Sequence, residues 1–103
     1  MATPLTVSTD RRNDGTLVLT AAGEMDLSNI DVFTRALSDA ASTDGSLTVD
    51  LAAVEYLYSG AINALFDHAD NIRVIIANRY LIPALTVSGL TELVTVERKP
   101  PPT

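Results

Sequence analysis

The sequence contains no cysteine and no tryptophan. Without thiols there is no disulfide, no thiolate nucleophile and no thiolate-bound metal. A single histidine, His68, also excludes the usual histidine-rich zinc and iron sets. Basic residues are scarce, with 7 Lys and Arg against 13 Asp and Glu and a net charge of −6. Direct nucleic-acid binding, which needs clustered Lys and Arg, is therefore not expected. No apolar run approaches the roughly 20 residues of a membrane-spanning helix, so no membrane insertion is expected either. Met1-Ala2-Thr3-Pro4 leads straight into an alternating stretch rather than the apolar segment of a signal peptide, which predicts a cytoplasmic protein. Glycine-rich phosphate loops are missing. No cofactor, no metal and no enzymatic activity are expected.

What is present is a chain of 103 residues, 47% of them apolar, enough for one domain around one modest core. Leu5-Thr6-Val7-Ser8 and Gly15 to Ala21 alternate as strands, and Asn13-Asp14-Gly15 between them predicts an antiparallel hairpin. Gly23-Glu24-Met25-Asp26-Leu27 should then leave the sheet. Ser28, with Asp31 three residues on, resembles a capping box for a helix running to about Ala41 with Ile30, Phe33, Leu37 and Ala40 on one face. Asp44-Gly45 is expected to end that connection.

Leu47, Val49 and Leu51 alternate with Ser46, Thr48 and Asp50, the period of a strand with one buried face. After a connector, Ile62, Leu65, Phe66 and Ala69 follow helical spacing, so Ser59-Gly60 falls at a strand-to-helix junction. Ser59 suits an N-cap there, because its hydroxyl can accept from the free amides of the first turn. The same amides and the helix dipole would favour a phosphate on Ser59. Asn63, Asp67, His68 and Asp70 fall on the outer face of this helix.

Arg73-Val74-Ile75-Ile76-Ala77 reads as a strand covered on both faces or nearly so. A third helix is expected over Leu81 to Ser88, with Pro83 in its first turn and Gly89 as its stop. Leu93 to Val96 predicts a last short strand. Residues 1–98 would form the domain, and residues 99–103, Lys-Pro-Pro-Pro-Thr, a flexible Pro-rich tail. The fold class expected is α/β, a mixed four- to five-stranded sheet, antiparallel hairpin plus parallel strands, covered by helices.

Hydrolytic chemistry does not fit. Nine residues of helix, roughly 13 Å, separate Ser59 from His68, and no G-x-S-x-G elbow surrounds the serine. Glu24 and Asp26 lack a third ligand, and helix N-terminal charge accounts for them. Glu55, Asp67 and Asp70 could form an acidic patch, or simply a solvated face. Tyr56 and Tyr58 flank Leu57 and either pack over the helix start or leave Tyr58 as a contact residue.

Three stretches together resemble the STAS domain family of anti-sigma factor antagonists and sulphate transporter domains. Gly23-Glu24-Met25-Asp26-Leu27 is similar to the family's G-E-L-D-x stretch. Val49-Asp50-Leu51-Ala52-Ala53-Val54-Glu55-Tyr56-Leu57 is similar to its V-D-L-S-x-V-x-F-I segment, and Ser88 to Val94 to its T-G-L-x-x-L-F ending. The resemblance implies a STAS-like single domain that binds an anti-sigma factor of the serine kinase type and releases it when a serine is phosphorylated. An ungapped alignment lays that serine on Ser59. The motif's aspartate, second serine and glycine are then Tyr58, Gly60 and Ala61, while a one-residue gap keeps Gly60 as the motif glycine. The implied partner-binding residues are Asp26, Tyr58, Ser59, Gly60, Asn63 and Asp67. The domain is expected as a monomer or weak dimer. The altered motif keeps a second role open, a non-phosphorylated scaffold subunit of a lipid-transport or stress-signalling complex.

Overall fold

The computed structural model describes residues 3–42 and 47–99. In chain order these form β1 (Thr6–Arg11), β2 (Leu17–Met25), α1 (Ile30–Ala41), β3 (Leu47–Leu57), α2 (Ser59–Asp67), β4 (Ile72–Ala77), α3 (Ile82–Val87) and β5 (Thr95–Arg98). Single 3-10 turns occupy Ala69–Asn71 and Leu90–Glu92. The five strands lie side by side in sequence order. The first pair is antiparallel and the remaining three pairs are parallel, the mixed sheet expected.

The hairpin closes through the turn the sequence marks. Gly15 sits at φ +90°, its N–H donates to Arg12 O at 3.0 Å, and the Arg12 N–H donates to Thr16 O at 2.8 Å. Phe33 and Leu37 of α1, Ala61 and Leu65 of α2, and Leu85 of α3 meet Leu19, Met25, Val49, Leu51 and Ile75 in one buried cluster. Strand side chains alternate between faces, so Val18, Thr48, Val74 and Ile76 turn away from that cluster. The helices therefore cover one face of the sheet. β4 is covered nearly on both faces, within the expectation of a strand covered on both faces or nearly so. Val74 and Ile75 are indeed both buried, but Ile76 is half-buried and lies with Val74 in an open concavity beside the hairpin turn.

Several element ends differ from expectation, because pairing between distant strands sets them. β2 does not leave the sheet at Gly23 but continues to Met25, and β3 continues through the expected connector to Leu57. The two extensions hold each other, with Gly23 opposite Val54, Glu24 opposite Tyr56 and Met25 opposite Leu57. A register shift at Gly23/Glu24, where Gly23 takes φ +99°, marks a bulge that lets them stay paired. β5 begins at Thr95 rather than Leu93, since Val94 turns into the core.

The capping box did not form. α1 starts at Ile30 with Asn29 as its N-cap and no side-chain cap bond, and Ser28 instead donates its hydroxyl to Asp26. Pro83 does lie in the first turn of α3, and Gly89 ends that segment at φ +88°. The Lys99 N–H donates to Ala77 O at 2.9 Å, so the first residue assigned to the tail still belongs to the ladder. Pro100 to Thr103 and the Asp44-Gly45 connection lie outside the described residues.

Candidate functional site

The C-terminal ends of β2 and β3 bring two loops together. The Tyr58 N–H donates to Met25 O at 3.0 Å, which ties the β3–α2 junction to the start of the β2–α1 loop. That loop is organised by its own side chains. Asn29 Oδ1 accepts the Asp26 N–H at 2.9 Å, and Asn29 Nδ2 donates to Glu24 O at 2.9 Å. Asp26 Oδ1 in turn accepts the Ser28 N–H at 2.9 Å and the Ser28 hydroxyl. Asp26 is half-buried, and its carboxylate is occupied within its own loop.

The Ser28 hydroxyl and then the Ser28 amide hold the Asp26 carboxyl below the usual aspartate range. Because the folded value is depressed, the loop is fully supported above the ordinary aspartate pKa of about 3.9 and loses that support as pH falls through the lower folded value. The amide signals of Ser28 and Asn29 are expected to titrate with a midpoint below about 3.9. A midpoint above it in an NMR titration would contradict this role for Asp26.

Ser59 is the first residue of α2 rather than its N-cap. Tyr58 takes the cap position with extended backbone, φ −64° and ψ 140°, and makes no side-chain cap bond. The register comes from the Tyr58–Met25 bond, which keeps Tyr58 in the sheet's extended conformation. Ser59 is exposed, and the positions one and two turns on, Asn63 and Asp67, are exposed too. Spacing of four puts these three on one helix face. The opposite face buries Ala61 and Leu65 against the core and half-buries Ile62 and Phe66.

Tyr58 and Gly60 form one unit. A Cβ on Gly60 would lie 2.9 Å from Tyr58 Cε2 and 3.0 Å from Cδ2, so the ring rests on the glycine, with Ile30 of α1 beyond it. Gly60→Ala gains about 1 kcal/mol of helix propensity and must turn the ring away. The expected result is a melting temperature within about 5 °C of wild type together with displaced Tyr58 ring signals in NMR spectra. Unchanged ring signals would contradict the contact.

Exposed apolar side chains lie at the same end of the sheet. Leu27 in the β2–α1 loop is 72% exposed and Tyr56 on β3 is 54% exposed. Glu55 does not join Asp67 and Asp70, because it lies near the end of β3 while they lie near the start of β4, which begins opposite Leu47 at the other end of that strand; Glu55 lines a cavity of about 420 Å³ with Asn78 and Tyr80. His68 caps the C-terminal end of α2, the far end from Ser59. Among the described residues no three His, Asp or Glu side chains gather to hold a metal ion, and no helix is long and apolar enough to cross a membrane.

One residue that supports this end has no local sequence signal. β4 stops pairing with β3 at Leu51–Ala77. Beyond it the Asn78 side chain takes over the exposed edge, donating through Nδ2 to Ala52 O at 3.1 Å and Val54 O at 2.8 Å. Its Oδ1 accepts from the amides of Tyr80 at 2.9 Å and Leu81 at 3.2 Å.

A family model described as Mlab, STAS domain, matches residues 8–95. The chain belongs to the STAS domain family. Among solved structures this STAS domain is similar to an anti-sigma factor antagonist from Mycobacterium paratuberculosis, at 20% identity and a TM-score of 0.82, over 91% of this chain and 86% of that one. It is also similar to the Bacillus cell fate determinant SpoIIAA in its phosphorylated form, at 11% identity and a TM-score of 0.65, over 88% of this chain and 90% of that one. At these identities the likeness establishes the STAS fold. No curated protein matches the sequence.

Proposed function

We propose that this STAS domain is a regulatory protein-binding module of the anti-sigma factor antagonist type, which captures an anti-sigma factor through α2 and its two flanking loops. The observation that carries the reading is Ser59, exposed in the first turn of α2 at the head of the Ser59–Asn63–Asp67 row. The binding surface comprises Tyr58, Gly60 and that row, with Asp26 shaping the adjoining loop. Leu27 and Tyr56 supply apolar area for a partner to cover. The fold shared with an anti-sigma factor antagonist supports this reading.

Phosphorylation of Ser59 is the proposed switch. A phosphate adds about −1.5 to −2 charge. On the first turn of a helix it is tolerated locally by the dipole and free amides, so the fold survives. In a surface that must lose water on binding, on the same helix face as Asp67 of an acidic protein, it opposes association. The partner is accordingly an anti-sigma factor of the serine kinase type, the setting is cytoplasmic, and the domain acts as a monomer or weak dimer.

A pull-down from native lysate with wild type, Ser59→Ala and Ser59→Glu as baits tests the switch. Wild type and the alanine form are expected to retain the same kinase-like partner, and the glutamate form to lose it. Retention by all three would contradict it. A second reading is favoured by Tyr58 and Ala61 standing in the serine motif. In that reading the domain is a constitutive, non-phosphorylated scaffold subunit of a lipid-transport or stress-signalling complex. Membrane-transport ATPase subunits recovered equally by all three baits would select it.

A further inference from the structure

The helix-free face of the sheet carries a second polar site. A concavity of about 320 Å³ opens there, lined by Arg12 and Asp14 of the hairpin turn, Thr48 of β3, Arg73 of β4, and Thr95 and Glu97 of β5. It lies at the start of β3, whereas Ser59 follows its end. Nine residues of strand separate Thr48 from Leu57, roughly 30 Å. The two sites are therefore independent in space.

Three features set this concavity apart from a solvated sheet face. Arg12 and Arg73 both line it in a protein of net charge −6, and neither side chain has a hydrogen bond or ion-pair partner among the described residues. Arg11 is engaged with Gly15 O at 3.1 Å and Arg79 with the Tyr80 hydroxyl at 2.9 Å, whereas Arg35 and Arg98 also lack a side-chain partner among the described residues but line no concavity with a second arginine. Thr48 is 6% exposed as a residue and borders the concavity, and since no buried side-chain oxygen among the described residues lacks a partner, its unbonded hydroxyl faces the water that fills the concavity. Asp14 is kept below the usual carboxylate range, first by hydrogen bonds from Thr16 and then by Arg12 and Arg73, so the two positive charges converge on this end.

The polarity also runs in one direction. Thr95 lies opposite Val74, next to Arg73, and Glu97 lies opposite Ile76, two residues further along the sheet. Two residues of strand are about 6.6 Å. One end thus offers planar donors suited to an anion with several oxygens. The other offers a carboxylate that accepts from hydroxyls. The volume falls at the small end of ligand sites.

We propose that this concavity binds a small polyhydroxylated phosphomonoester, its phosphate on Arg12 and Arg73 and its hydroxyls on Thr48 and Glu97. The ligand's charge and hydroxyls are each matched, and the Thr48 hydroxyl exchanges water for a ligand hydroxyl.

The test is an amide NMR titration of the intact protein at low salt with glucose 6-phosphate as probe, and with inorganic phosphate and glucose as separate arms. Saturable shifts are expected at residues 12–16, 48, 73–76 and 95–97, with affinity falling about tenfold or more in Arg12→Gln and in Arg73→Gln. Thr48→Val should weaken binding severalfold, whereas Ser59→Ala should leave it unchanged. Both arginines are exposed, so their variants are expected to fold, and the spectra report this directly. The proposal is overturned if no saturation occurs by about 10 mM, if the shifts centre on residues 56–67, or if the arginine variants bind as wild type does. Equal affinity for inorganic phosphate or for glucose alone would also overturn it.

Discussion

Gly23→Ala is expected to lower the melting temperature by roughly 15–25 °C, about 3–4 kcal/mol in a domain of this size. Gly23 adopts φ +99°, and a Cβ there would lie 2.3 Å from Pro4 O and 2.9 Å from Pro4 C. The backbone conformation alone costs a non-glycine residue about 1–2 kcal/mol. The clash is with main chain rather than with a flexible side chain, so the Thr3-Pro4 segment must move. Movement breaks the bond from the Thr3 N–H to Glu24 Oε2 at 2.9 Å and the bond from the Glu24 N–H to Thr3 O at 3.0 Å. Each contributes about 1 kcal/mol net. Gly15→Ala separates the two effects, because Gly15 has φ +90° with nothing within 4 Å of the added atom. It should cost only the conformational part, about 1–2 kcal/mol. Equal melting temperatures for the two variants would show that the N-terminal segment does not pack against Gly23.

Asn78→Asp should cost about 3 kcal/mol at neutral pH, comparable to Asn78→Ala despite its near-identical shape. The alanine form loses all four side-chain bonds that join β3, β4 and the start of α3. The aspartate form keeps its acceptor toward Tyr80 and Leu81 but aims a carboxylate at the carbonyl oxygens of Ala52 and Val54. Those oxygens disfavour the charged state, so the aspartate pKa would be raised in the folded protein. The penalty is therefore small at low pH, where the acid is protonated and can donate, and grows as pH rises. Urea melts at about pH 4 and pH 7 should show the two variants diverging at the lower pH, the aspartate form recovering relative to alanine. No pH dependence of the difference would contradict the bracing role.

These two residues also mark where sequence reasoning stops. The hairpin turn at Asn13-Asp14-Gly15, the proline-started α3 and the Gly89 stop are local devices, and each stands where its residue type places it. The central strand and the α2 period are equally local, so the strand-to-helix junction at Ser59 was legible. The lengths of β2 and β3 were not. Ala52-Ala53 has little strand propensity, and Glu24 reads as a loop residue. They are held extended because each segment pairs with the other across about 30 positions of sequence.

The same limit explains the cap. Ser59 has the chemistry of an N-cap, but the tie from Tyr58 to Met25 moves the helix start by one residue. Asn78 acts on carbonyls 24 and 26 residues away, and no pattern of neighbours announces that. Of the candidate site, Ser59, Asn63 and Asp67 form the exposed row that helical spacing implies, and Tyr58 and Gly60 pack together as adjoining residues can. Asp26 differs, because the Ser28 and Asn29 side chains turn it into a loop organiser.

Docking of a partner on the Ser59–Asn63–Asp67 face, ended by phosphate on Ser59, is the proposed switch. The most direct test is a calorimetric titration of the captured partner into unphosphorylated and Ser59-phosphorylated protein. The phosphorylated form is expected to lose about a hundredfold in affinity, on the order of 3 kcal/mol, with the melting temperature of the free domain nearly unchanged. Equal affinity of the two forms would contradict it.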